Sequence, residues 1–169
     1  MLALSKEAAD PDVYKRICDE YLDIDEYINY MALWMWLGNS DWMRNNVKAY
    51  RSTEPGGRYH YVMFDTDGSF AYSGNNGFRQ LESWANNGAY SDGIYGNSVH
   101  LDFENCEMWM NLLQNDDFRK QFIDAYCLVA GSVFEPTRCT EILDELFDRV
   151  EPMMNLKKTW SWWGESSES

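Results

Sequence analysis

Residues 23–38, Asp-Ile-Asp-Glu-Tyr-Ile-Asn-Tyr-Met-Ala-Leu-Trp-Met-Trp-Leu-Gly, constrain this chain more than any other stretch. Asp23 is placed to cap a helix, and Glu26 stands three residues later as in a capping box. Tyr27, Ile28, Met31 and Trp34 then recur at helical spacing, and Gly38 ends the run. The next segment, Asn39 to Asn46, is a polar loop whose two large apolar members are Trp42 and Met43. It leads into Val47–Arg51, which reads as a short strand. A turn at Pro55-Gly56-Gly57 follows, and Tyr59–Phe64 reads as a second strand ending in Asp65. The order is helix, polar loop, hairpin, aspartate.

The rest of the chain is less regular at first. Gly68 to Asn97 is crowded with Gly and Asn, and it predicts one short helix, around Phe78–Trp84. Long irregular segments inside a domain are usually functional or mobile. Three helices follow. The first covers Phe103–Leu113. The second is capped near Asn115 and carries Phe118, Phe122, Tyr126 and Val129 on one face. The third opens at Pro136 and carries Ile142, Leu143, Leu146, Phe147 and Val150. Before Asp23 neither a strand nor a glycine loop is expected, and the tail over 160–169 reads as frayed.

Composition sets the outer bounds. A chain of 169 residues, 45% apolar and 16% aromatic, suits one domain or one lobe of a larger one and excludes overall disorder. Its 28 acids against 14 bases give a net charge of −14, which repels a phosphate backbone, so no nucleic-acid partner is expected. No apolar run reaches the roughly eighteen residues of a membrane span. Met1–Asp10 lacks the layout of a secretory signal. Cys18, Cys106, Cys127 and Cys139 have neither zinc nor redox spacing.

Phosphoryl transfer from ATP needs a carboxylate near the attacking hydroxyl and oxygen ligands for magnesium. In kinases the first carboxylate lies in a loop after a helix, a metal-binding asparagine follows five positions on, and an aspartate ends the next hairpin. Here Asp41 lies in such a loop, Asn46 is five residues later, and Asp65 ends the hairpin 24 residues after Asp41.

The stretch Gly38-Asn39-Ser40-Asp41-Trp42-Met43-Arg44-Asn45-Asn46, followed by Tyr61-Val62-Met63-Phe64-Asp65-Thr66-Asp67, resembles the spore coat protein H (CotH) family of atypical protein-kinase-like proteins. Members of that family show an N-x-D-W-x-x-N-N segment and then an aspartate-x-aspartate after a strand. The flanks agree, with Tyr21-Leu22-Asp23-Ile24-Asp25 before the first helix and Asn115-Asp116-Asp117-Phe118-Arg119 opening a later one. The resemblance implies an α+β fold, a mainly helical kinase-like C-lobe with a small β-hairpin carrying the catalytic face. It further implies a protein kinase using ATP and Mg2+ or Mn2+, acting on coat or surface proteins at the spore coat or cell surface. Asp41 would be the catalytic carboxylate, Asn46 a metal ligand, and Asp65 the ligand of the metal bridging the phosphates, with Asp67 its rival. Asn39 and Asn45 are expected to shape the loop by bonding backbone. The upstream lysine, glutamate and covering loop of a complete site are not recognisable. Residues 1–169 are therefore expected to be one partial domain lacking its N-lobe, and inactive alone.

Two other functions compete. One is a non-catalytic surface or coat interaction module that keeps the fold. The other is a haloacid-dehalogenase-type phosphatase, with Asp65 as nucleophile and Asp67 as acid/base, which requires a parallel sheet around Asp65. A calcium loop fails because Gly68 comes three residues after Asp65, not five. Trp42 reads as core packing before ligand stacking, and Trp34, Trp36, Met108, Trp109 and Met110 read as core. Arg44 is placed either to neutralise phosphate charge or to pair with a surface acid. His60 and His100, with no partner at ligand spacing, are assigned no role.

Overall fold

The computed structural model describes residues 1–39, 42, 46–70, 89–91, 98–100 and 104–156. The chain divides into two compact units, Met1–Ala130 and Gly131–Ser169.

In the first unit a single turn, α1 (Leu2–Ser5), precedes α2 (Pro11–Glu20). The sequence reading places the first helix at Asp23, so α2 is an addition to it. Its start is a local signal: Asp10 Oδ1 accepts from the amides of Asp12 (2.8 Å) and Val13 (3.2 Å), and Pro11 occupies the first turn, where its missing N–H costs nothing. Only Tyr14 and Ile17 of this helix are buried, too few to stand out as periodicity.

Helix α3 (Ile24–Leu37) runs through the middle of the core, with Tyr27, Ile28, Tyr30, Met31, Ala32, Trp34 and Met35 buried. Gly38 ends it in the left-handed region, φ 57°, its amide donating to the Trp34 carbonyl at 3.1 Å. The N-terminus departs from the expected capping box. The Asp23 side chain accepts from the Glu26 amide at 3.3 Å as foreseen, but the Asp23 amide donates to the Tyr59 carbonyl at 3.0 Å. The hairpin has taken the donor that the Glu26 carboxylate would have used.

That hairpin pairs β1 (Lys48–Tyr50) with β2 (His60–Val62), antiparallel, in the register Lys48↔Val62, Ala49↔Tyr61, Tyr50↔His60. Both strands are shorter than expected. In the turn, a Cβ on Gly57 would meet the Ser52 carbonyl oxygen at 2.3 Å, so glycine is required there. All three residues of β1 are exposed, whereas Tyr61 of β2 is buried against Tyr27 and Tyr30, with ring centroids 4.9 and 5.2 Å apart. Phe78–Trp84 lies outside the described residues. A second antiparallel pair, β3 (Ala89–Ser91) with β4 (Ser98–His100), is formed in a stretch read as irregular.

Helices α4 (Glu104–Leu112) and α5 (Asp116–Leu128) close the core. Trp109 is fully buried and meets Phe118 and Phe122 edge-on, at 5.3 and 4.7 Å. Asn115 caps α5 as expected, accepting from the amides of Asp117 (3.0 Å) and Phe118 (3.1 Å), and its Nδ2 donates to the Ala8 carbonyl at 3.0 Å. One buried side chain thus starts a helix and pins the N-terminal segment. In the second unit α6 (Pro136–Leu156) is capped by Glu135, which accepts from the amides of Thr137 and Arg138; these bonds hold its carboxyl below the usual range. The fold is α+β: mainly helical, with small antiparallel hairpins. Among the described residues no helix is long and apolar enough to cross a membrane.

Candidate functional site

The end of α3 and the segment after β2 are tied together. Asn39 has no exposed surface. Its Nδ2 donates to the Asp65 carbonyl (3.4 Å) and to Ser69 Oγ (3.2 Å), and its Oδ1 accepts from the Trp42 amide (3.0 Å). The Phe70 amide adds a bond to the Leu37 carbonyl at 3.1 Å. Asn39 therefore bonds backbone, as read from the sequence, and joins the polar loop to the turn after the hairpin.

Trp42 is core. It stacks on Trp34 with centroids 5.7 Å apart and planes 8° from parallel, and its Nε1 donates to the Tyr30 hydroxyl at 2.9 Å. Asp41, which precedes it in the chain, lies outside the described residues, as do Arg44 and Asn45. The structure gives the anchors of this loop, Asn39 and Trp42.

Asn46 and Asp65 are brought to the same end of the hairpin. Asn46 precedes β1 by two residues, Asp65 follows β2 by three, and the Lys48↔Val62 pair between them fixes the register. Both have positive φ, 57° and 59°, a region that non-glycine residues seldom occupy and that Asn and Asp tolerate best. Asp67 lies in the 3-10 turn Thr66–Gly68, where it and Asp65 are exposed. An amide oxygen and two carboxylates are hard oxygen donors of the kind Mg2+ and Mn2+ take, so this donor set fits the implied metal. The sheets among the described residues are antiparallel hairpins, and Asp65 follows a hairpin strand rather than a parallel one. The phosphatase reading lacks its scaffold there.

A second constellation escaped sequence reasoning. Asp23, Glu26 and His60 bring ligand atoms within 4.8 Å of one another. His60 Nδ1 contacts Glu26 Oε2, and the His60 ring stacks on Tyr50 at 5.3 Å. Both Asp23 carboxylate oxygens are already engaged, one by the Glu26 amide and the other by Arg58 Nη2 at 2.8 Å. The guanidinium supplies the positive charge that a cation would otherwise bring. No local signal announces this cluster, because Glu26 and His60 are 34 residues apart.

Helix, polar loop, hairpin and aspartate, in that order on a mainly helical scaffold, define a kinase-like C-terminal lobe. A family model described as CotH kinase protein matches residues 1–168, and the chain belongs to that family. No curated protein and no solved structure matches it at a significant level.

Proposed function

We propose that this chain carries the catalytic and metal-binding face of a protein kinase that moves the terminal phosphoryl group of ATP to a protein hydroxyl. The observation that supports this most is the arrangement at the hairpin's open end. Two oxygen-bearing residues, Asn46 and Asp65, flank that end in left-handed backbone, and Asn39 links the Asp65 turn to the loop from which Asp41 comes.

In this reading Asp41 accepts a hydrogen bond from the acceptor hydroxyl, orients its oxygen and takes its proton as that oxygen bonds the terminal phosphorus of ATP and the bond from that phosphorus to the departing ADP breaks. Asn46 and Asp65 would hold Mg2+ or Mn2+, with Asp67 as the alternative carboxylate; the metal, when bound, would neutralise charge on the phosphates. Positioning accounts for most of the acceleration in such transfers, so the fixed places of Asn39 and Trp42 on either side of Asp41 in sequence belong to the mechanism. The acceptor is a coat or cell-surface protein, in keeping with family membership. With a net charge of −14 the chain repels acidic acceptors and favours basic ones.

The test is radiolabel transfer from ATP by the full-length protein in the presence of Mg2+ or Mn2+. Asp41→Ala and Asp65→Ala are each expected to lower transfer at least about a hundredfold while leaving the circular-dichroism spectrum unchanged. Undiminished transfer in both variants refutes the assignment.

A further inference from the structure

The β1–β2 hairpin is too short to hold its own position. Strands of three residues are marginal in isolation, and β1 is exposed throughout, so β1 is placed by its pairing with β2. The position of β2 is in turn set by attachments to the C-terminal end of α2 and the N-terminal end of α3. The Tyr59 amide donates to the Tyr21 carbonyl at 2.7 Å, and the Asp23 amide donates to the Tyr59 carbonyl. Arg58 Nη2 pairs with Asp23 Oδ2, Arg58 Nη1 donates to the Cys18 carbonyl at 3.2 Å, and His60 pairs with Glu26.

We infer that Arg58 and His60, through Asp23 and Glu26, form a clasp that positions the hairpin and thereby sets how Asn46 and Asp65 present their oxygens to the metal. These four are positioning residues. The clasp grips the strand that leads to Asp65, and the Lys48↔Val62 register passes that placement to Asn46. The inference rests on the assignment of Asn46 and Asp65 as metal ligands. It goes beyond that assignment in tying metal affinity to four side chains on the far side of the hairpin strands.

The experiment is calorimetric titration of the purified protein with Mn2+, paired with hydrogen exchange at the hairpin amides. The acidic surface will bind some Mn2+ weakly, so the relevant site is the one abolished by Asp65→Ala. Asp23→Asn is the informative variant, because Asn caps a helix as well as Asp does and the change removes only the charge facing Arg58. Asp23→Asn, Arg58→Ala and His60→Gln are each expected to weaken that site by about tenfold and to speed exchange at the Tyr59 and Tyr61 amides. Arg58→Lys, which keeps the charge, should restore most of the affinity. If exchange quickens but Mn2+ affinity stays at the wild-type value, the clasp is only structural and the inference is overturned. If Asp65→Ala leaves Mn2+ binding unchanged, the ligand assignment fails first and takes the inference with it.

Discussion

Asn39 shows how much one side chain can decide. It is fully buried, and its partners lie 3, 26 and 30 residues away in sequence. A buried amide that satisfies three groups cannot be removed without stranding them. Asn39→Ala is expected to lower stability by about 2–4 kcal/mol and to reduce phosphoryl transfer together with it. Asn39→Asp keeps the acceptor for the Trp42 amide but faces the Asp65 carbonyl with an oxygen instead of a donor, so transfer should fall further than stability. Denaturant unfolding and radiolabel transfer, measured on the same preparations, separate the two effects; equal losses in both variants would contradict this account. The backbone-bonding role of Asn39 was legible, because asparagine beside a helix-stopping glycine commonly shapes a loop. His60 was not legible: its carboxylate partner is supplied by a helix 34 residues upstream, where only folding brings it close.

Among the elements, the helix starts were the most readable feature. Asp23 and Asn115 cap as their neighbours predict, since capping is decided within one turn by side-chain oxygens and free amides. The cap signal at Asp10-Pro11 was equally local, and α2 was missed because only two of its residues face the core. Caps that also carry a tertiary bond should matter more than exposed ones. Asn115→Ala is expected to cost about 2 kcal/mol, because it also leaves the buried Ala8 carbonyl without its donor, whereas Asp10→Ala at an exposed cap should cost about 1 kcal/mol. Urea unfolding midpoints of the two variants measure the difference, and a larger loss at Asp10 would contradict the argument. The hairpin was foreseen in place and sense, but its strands were drawn too long; alternation of side chains says where a strand lies and less about where its ladder stops.

At the scale of the whole molecule, the core of the first unit is built around aromatic rings, and several of its tyrosines carry hydroxyls into low-dielectric surroundings. Burial, with smaller contributions from Tyr30 and Tyr59, pushes the Tyr61 phenol up to about 12, and burial raises Tyr14 and Tyr30 as well. The folded state therefore favours the neutral phenols, while the unfolded chain ionises them near pH 10. Stability should be complete below about pH 10 and fall as the pH rises towards 12. Melting temperatures across that range will show a steep alkaline decline that Tyr61→Phe makes shallower; an identical slope in that variant would contradict the prediction. By itself the sequence determined the order of helix, polar loop, hairpin and aspartate, the caps at Asp23 and Asn115, the apolar character of α3 and the family to which the chain belongs, since each of these is written in neighbouring residues. Only the tertiary structure decided that Asn46 and Asp65 flank the same end of the hairpin, that Asn39 reaches the Asp65 turn, and that Arg58 and His60 grip the start of α3. Those contacts join residues about 20 to 35 positions apart, and burial of the aromatic core, which has no period along the chain, is what closes such distances.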